Sequence, residues 1–185
     1  MSILPIFLYG ADLLRKKAKP VRDFDDSLIE LIHSMFETMH NANGIGLAAN
    51  QVGVLDRVIV GDISDMEEGK GTKPMVLINP EVTARVGEAS MEEGCLSIPG
   101  VRDTLKRSEK VTVRFKDGSF SDATVEVTGL LGRVILHEID HLNGVLFTDY
   151  LSPARRRSHK SQLENIRKGE IEINYPVVQP EAVPR

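Results

Sequence analysis

The chain has 185 residues, a formal net charge of −4 at pH 7 and a single cysteine. That length suits one domain whose core is large enough to need no covalent staples. The acidic balance argues against wholesale binding to nucleic acid or a membrane surface, and one thiol excludes an internal disulfide. The opening Met1-Ser2-Ile3-Leu4-Pro5-Ile6-Phe7-Leu8-Tyr9 is apolar, but no Lys or Arg precedes it and Asp12 follows closely. It therefore reads neither as a signal peptide nor as a span. A cytoplasmic protein is expected, with no membrane partner and no direct sequence-specific nucleic-acid binding.

In chain order, residues 12–19 read as a short helix that Pro20 helps to end. Ser27 and Glu30 fit a capping box for a second helix, whose apolar stripe of Leu28, Leu31, Ile32, Met35, Phe36 and Met39 runs to Asn43-Gly44. Residues 44–53, Gly-Ile-Gly-Leu-Ala-Ala-Asn-Gln-Val-Gly, are too rich in glycine and small side chains for a stable helix or an ordinary strand. They suit close backbone approach, either as a tight structural turn or as part of a site. No Gly-Lys-Ser/Thr follows, so a phosphate loop is disfavoured.

Residues 57–63, 75–78 and 82–86 read as strands, the last two separated by Asn79-Pro80, and residues 66–73 as an exposed, mobile loop. Residues 111–115 and 123–127 pair across an Asp117-Gly118 turn. Residues 153–169, with Arg155, Arg156, Arg157, Lys160, Arg167 and Lys168, form a basic helix with a thin apolar edge at Leu163 and Ile166. Such a helix is either a solvated face or a dock for an acidic partner. The tail from Tyr175, with three prolines, reads as irregular. The expected fold is α+β: small antiparallel strands and sheets packed around a central helix, with a C-terminal helix. Residues 1–170 form one domain in this reading, and residues 171–185 an extended or irregular tail.

The central helix covers residues 129–144. Leu130, Val134, Ile135, Ile139 and Leu142 supply its apolar periodicity and Gly144 its stop. On it, His137 and His141 stand four apart, on one face, and Glu138 lies about 100° from His137, within reach of a water without being a ligand. A catalytic divalent metal takes three protein ligands and keeps a position for water. Cys95, in the extended, glycine-opened Glu92-Glu93-Gly94-Cys95-Leu96-Ser97-Ile98-Pro99-Gly100, would complete a Cys-His-His set as a thiolate. It fits equally as an inert buried thiol on its own.

Three segments together resemble the signature motifs of the peptide deformylases, in order and spacing: Gly44-Ile45-Gly46-Leu47-Ala48-Ala49-Asn50-Gln51, Glu93-Gly94-Cys95-Leu96-Ser97 and His137-Glu138-Ile139-Asp140-His141. The resemblance extends to Leu151 and thins out beyond. It implies a metal-dependent hydrolase that releases formate from the N-formylmethionyl end of nascent peptides, with a water on the metal as nucleophile. By it, Cys95, His137 and His141 bind one divalent ion per chain, iron(II) in the cell, with zinc, nickel or cobalt fitting purified protein. Glu138 is the general acid/base, and Gln51 with the Leu96 N–H holds the oxyanion. Ile45, Gly46 and Gly94 pair with an extended peptide, Met91, Leu130, Arg133 and Val134 line the methionine pocket, and Arg102 approaches the peptide backbone. Glu93 and Asp140 are expected to orient ligands, with a salt bridge to Arg107 as the other reading of Asp140.

Leu136 stands where a Gln commonly precedes the first histidine, and Gly132 where Ala is frequent. Both departures are expected to alter pocket polarity and stability rather than activity. Asn50 occupies a variable place. The basic helix raises the further expectation of a ribosome contact. The competing reading is a zinc peptidase of the His-Glu-x-x-His type with another third ligand, and Cys95 separates the two.

Overall fold

The computed structural model describes residues 2–180. A short strand, β1 (Ile6–Phe7), and a 3-10 turn at Asp12–Arg15 lead to helix α1 (Asp26–Asn41). The helix expected over residues 12–19 is only that one turn. From Lys16 the backbone is extended, and its polar groups are used elsewhere: Ala18 N–H donates to Leu142 O and Lys19 N–H to Leu55 O. α1 begins earlier than expected. Its cap is Asp25, whose carboxylate accepts from Leu28 N–H, and Ser27 Oγ donates to that same carboxylate instead of capping.

After α1 come β2 (Gly46–Ala48), a 3-10 turn at Ala49–Val52, β3 (Val58–Gly61) and β4 (Met75–Val86). The small-residue stretch thus supplies a brief strand after all. The loop between β3 and β4 contains a 3-10 turn at Glu67–Gly69. The two strands expected on either side of Asn79-Pro80 are one. β4 absorbs the proline at a register shift between Ile78 and Glu81, with Asn79 at φ 53. Asn79 also braces the kink, its amide bonding both the N–H and the carbonyl of Val21 at 2.8 Å.

The chain continues through β5 (Ala89–Cys95), β6 (Ile98–Arg107), β7 (Lys110–Lys116) and β8 (Asp122–Thr128) to the central helix α2 (Gly129–Leu142). The basic segment forms two helices, α3 (Pro153–Ser158) and α4 (Lys160–Lys168), before β9 (Val177–Val178). They part at His159, whose ring is drawn to Asp103 Oδ2 at 2.9 Å. The tail is not wholly irregular, since β9 pairs in parallel with β1.

Strands β2, β3, β4, β7 and β8 form one antiparallel sheet in the order β2-β3-β4-β7-β8, and β5 and β6 form a separate hairpin. Successive side chains leave opposite faces of a strand, and the sheet uses both. Leu47, Val58, Val60 and Ile78 meet Leu28, Ile32, Met35 and Met39 of α1. Ala48, Ile59, Leu77, Val111 and Val113 meet Ile135, Leu136, Ile139 and Leu142 of α2. The helices therefore sandwich the sheet, an α+β arrangement. A third core joins Ile98, Val101 and Leu105 of the hairpin to Leu163 and Ile166 of α4, the apolar edge seen in the sequence. Among the described residues, no helix is long and apolar enough to cross a membrane.

Ile59 is 1% exposed at the seat of α2. Ile59→Ala is expected to lower the unfolding free energy by about 2–5 kcal/mol in urea titrations. A loss below about 1 kcal/mol would show that α2 does not depend on this contact.

Candidate metal centre

α2 is shared between two jobs. Its apolar face lies on the sheet, which leaves the face bearing the histidines turned toward the β5–β6 hairpin. His137 and His141 are one turn apart and their ring centroids are 5.0 Å from each other. Cys95 ends β5, and its Sγ lies 3.1 Å from His141 Nε2. One ligand atom from each of Cys95, His137 and His141 falls within 4.8 Å of the others, and both histidines are buried.

The surroundings fit a divalent cation. His137 Nδ1 donates to Glu93 Oε2 at 2.9 Å, which leaves Nε2 for the common point. A soft sulfur with two imidazoles is a donor set for zinc, iron(II), nickel or cobalt. Glu138 is 5% exposed and its Oε2 has no partner among the described residues. Burial pushes that carboxyl up to about 7. An orphaned buried carboxylate beside three converging donors is what a cation and its solvent would satisfy.

Gln51 is aimed by its own neighbours. Its Oε1 accepts Ala48 N–H at 2.8 Å, so Nε2 faces the thiol, 3.7 Å from Cys95 Sγ and 3.1 Å from Ser97 Oγ. Gly46 is glycine because Glu138 needs the space: a Cβ there would lie 2.5 Å from Glu138 Oε1 and 2.7 Å from Val134 Cγ1. Asn50, given no role by the sequence, is fully buried and ties the first motif to α2 through Nδ2 and His141 O.

A cavity of about 470 Å³ opens onto these groups. Of the residues singled out from the sequence, Ile45, Gly46, Gln51, Gly94, Cys95, Leu96, Arg102, Leu130, Val134, His137 and Glu138 line it. His141 lies behind, 1% exposed. Met91 and Arg133 do not line it. Arg133 is 5% exposed, and its guanidinium donates to Glu93 Oε1 at 2.9 Å, Leu105 O at 3.1 Å and Ala89 O at 2.6 Å. A buried guanidinium needs a carboxylate, and Glu93 supplies it. Met91 sits on β5 opposite Leu105. Leu136 packs among the apolar residues against the sheet, so its departure bears on the core and not on pocket polarity. Gly132 fits closely, since a Cβ would meet Val127 O at 3.3 Å.

Glu93 is the hub of this wall. Besides His137 and Arg133 it accepts Arg107 Nε at 2.6 Å and Arg107 Nη2 at 2.9 Å. Burial alone would raise its pKa, but the hydrogen bonds from His137 and Arg107 and the Arg107 charge outweigh that and hold it at about 2. Arg107 also pairs with Asp140, to which Tyr150 donates its hydroxyl, so the salt-bridge reading of Asp140 is the one the structure shows. Sequence reasoning missed Ser97 as partner of Gln51, and Met66 and Tyr175 as cavity walls. Ser97 was visible beside Cys95, whereas nothing local marked Tyr175, 78 positions from it.

The polypeptide deformylase family profile matches residues 3–157. The chain is 46% identical over 182 residues to a peptide deformylase of Pelodictyon phaeoclathratiforme, covering 98% of this chain and 97% of that protein. It is 48% identical over 184 residues to one from Salinibacter ruber, covering 95% and 94%. Its fold is similar to the crystal structure of a peptide deformylase from Legionella pneumophila, with TM-score 0.83 at 44% identity, over 91% of this chain and 97% of that one. A peptide deformylase from Ehrlichia chaffeensis in complex with actinonin gives TM-score 0.83 at 36% identity, over 93% and 100%.

Because the folded pKa of Glu93 lies below its ordinary 4.5, its ionised form stabilises the native state fully above about pH 4.5, and that contribution fades as pH falls toward 2. Glu93→Gln is expected to cost about 3 kcal/mol near pH 7. In unfolding titrations the gap to the wild type should narrow between pH 4.5 and 2. A gap independent of pH would contradict this assignment of the charge.

Proposed function

Because the chain belongs to the polypeptide deformylase family, metal-dependent hydrolases that remove the N-formyl group from an N-terminal methionine, we propose that Cys95, His137 and His141 hold its metal and that Glu138 carries the proton. The observation that carries this is the convergence of those three donors beside a buried, partnerless Glu138 oxygen. A divalent ion there supplies Lewis acidity, which acidifies a water and polarises a carbonyl oxygen. Glu138 takes a proton from the water that attacks the formyl carbon, and returns it to the amine as the C–N bond breaks. Formate and a free N-terminus result. Gln51 Nε2, with the Leu96 N–H, donates to the oxygen that becomes negative in between. Iron(II) is the ion proposed for the cell, and the same donors accept zinc, nickel or cobalt. Cys95 at the common point disfavours the peptidase reading, which has no use for a thiolate ligand.

The substrate enters in extended form. β2 is an edge strand of the sheet and β5 is half of a two-stranded hairpin, so the backbones at Ile45, Gly46 and Gly94 flank the cavity as two open edges. A peptide laid between them gains main-chain bonds as an added strand. Leu130 and Val134 of α2 offer the apolar wall for its methionine, and exposed Arg102 meets its backbone. Met91 and Arg133 shape that wall from behind, Arg133 through Glu93. The basic surface of α3 and α4 surrounds a second cavity, with Arg156, Arg157, Lys160 and Arg167 in its lining, and supports a ribosome contact for this cytoplasmic enzyme.

Glu138→Gln, loaded with iron(II) without oxygen, is expected to keep its metal while formate release from a formyl-Met peptide drops by roughly two to four orders of magnitude. Loss of metal together with activity would make Glu138 a ligand instead. Cys95→Ser is expected to lose metal by elemental analysis, and retained metal with full activity would favour the peptidase reading. Gly46→Ala should lower formate release at unchanged metal content by displacing Glu138, and a fully active variant would show that the carboxyl tolerates that crowding.

A further inference from the structure

The turn Cys95-Leu96-Ser97 carries a thiol, a main-chain donor and a hydroxyl that the proposed chemistry uses, and both of its later carbonyls are held by the ends of the chain. Tyr9 N–H donates to Ser97 O at 2.8 Å, and the Tyr175 hydroxyl donates to Leu96 O at 2.7 Å. The segments that bear these donors are themselves joined. Ile6 pairs with Val177 and Phe7 with Val178, and Ile6 N–H donates to Pro176 O at 2.9 Å. Tyr175 stands two residues before this ladder, and Pro176 disfavours helical backbone at it. The Tyr175 ring lines the cavity. Tyr175 lies beyond residue 157, where the family match ends.

We propose that Tyr175 is a positioning residue for the deformylation site, its hydroxyl anchoring the Leu96 carbonyl and thereby the direction of the Leu96 N–H. The inference rests on the reading above that this N–H meets the developing oxyanion. The Leu96 carbonyl shares its peptide plane with the Ser97 N–H, and the Leu96 N–H lies in the preceding plane, so with that carbonyl anchored only the two torsions at Leu96 stand between the anchor and the donor. Its side chain is restrained as well, packed so closely on Gly44 that a Cβ there would lie 2.6 Å from Leu96 Cδ1. A donor that is held in place before the reaction costs no reorganisation during it. A donor supported only by a free turn would. The tail thus serves the site although none of the three signature segments lies in it.

The test is Tyr175→Phe in the full-length, metal-loaded enzyme, which removes one oxygen and keeps the ring. With a formyl-Met peptide, kcat is expected to fall about three- to tenfold, the worth of one hydrogen bond, while KM and metal content stay as in the wild type. Tyr175→Ala should lower kcat similarly and raise KM as well, because the cavity loses a wall. A purely structural role would lower the melting temperature of Tyr175→Phe and leave kcat unchanged, and that result overturns the inference. So does a kcat loss that tracks lost metal. A wild-type protein that releases no formate when loaded would instead overturn the deformylase reading, and this inference with it.

Discussion

The hydrogen bond between Glu93 and His137 joins the two elements that carry the proposed metal ligands, the hairpin with the sulfur and the helix with the imidazoles. Glu93 lies two residues before Cys95 at the end of β5, so anchoring its carboxylate also restrains the backbone that carries the thiol. Two guanidiniums fix that carboxylate. Arg107 reaches it from the partner strand β6 and Arg133 from α2 itself, and Asp140 balances the second positive charge. Buried ions lose several kcal/mol each to desolvation, so such a cluster adds little net stability over an apolar wall. What it adds is direction. An apolar contact would let the hairpin slide along α2, whereas a carboxylate shared by three donors admits one arrangement.

The rest of the fold supplies backing for that joint. α2 is pressed between the sheet and the hairpin, so its histidines cannot turn without lifting Ile135, Ile139 and Leu142 out of their seat. Gln51 and Asn50 come from a 3-10 turn held between β2 and α2, and each is oriented by a main-chain group. The hairpin is in turn backed by α4 and by both ends of the chain. His137, Gln51 and Asn50 are therefore each held by a group from another segment of the chain, beside a cavity open enough for a peptide.

Much of this was legible from residue spacing. The period of α2, its two histidines and the apolar stripe of α1 depend on local pattern, and they appear where the sequence puts them. The β7–β8 hairpin was announced by alternation and an Asp-Gly turn. The β5–β6 hairpin escaped because its inward positions include Glu93 and Arg107, and a buried charge looks in sequence like a solvated one. The bond of Arg133 to Glu93 was hidden for the same reason: nothing local distinguishes a guanidinium beside a pocket from one that pairs with a buried carboxylate. Asn79-Pro80 read as a break because a left-handed asparagine at a bulge is a tertiary accommodation. Tyr175 was invisible because its function depends on an 79-residue return of the chain to Leu96.

The proposed centre is one sulfur and two ring nitrogens placed to share a cation. X-ray absorption at the metal edge of the anaerobically purified protein measures that directly. One sulfur neighbour at about 2.3 Å, with nitrogen or oxygen in the remaining positions, is the expected coordination shell. A shell of nitrogen and oxygen alone would place Cys95 outside it and contradict the assembly of hairpin and helix described above.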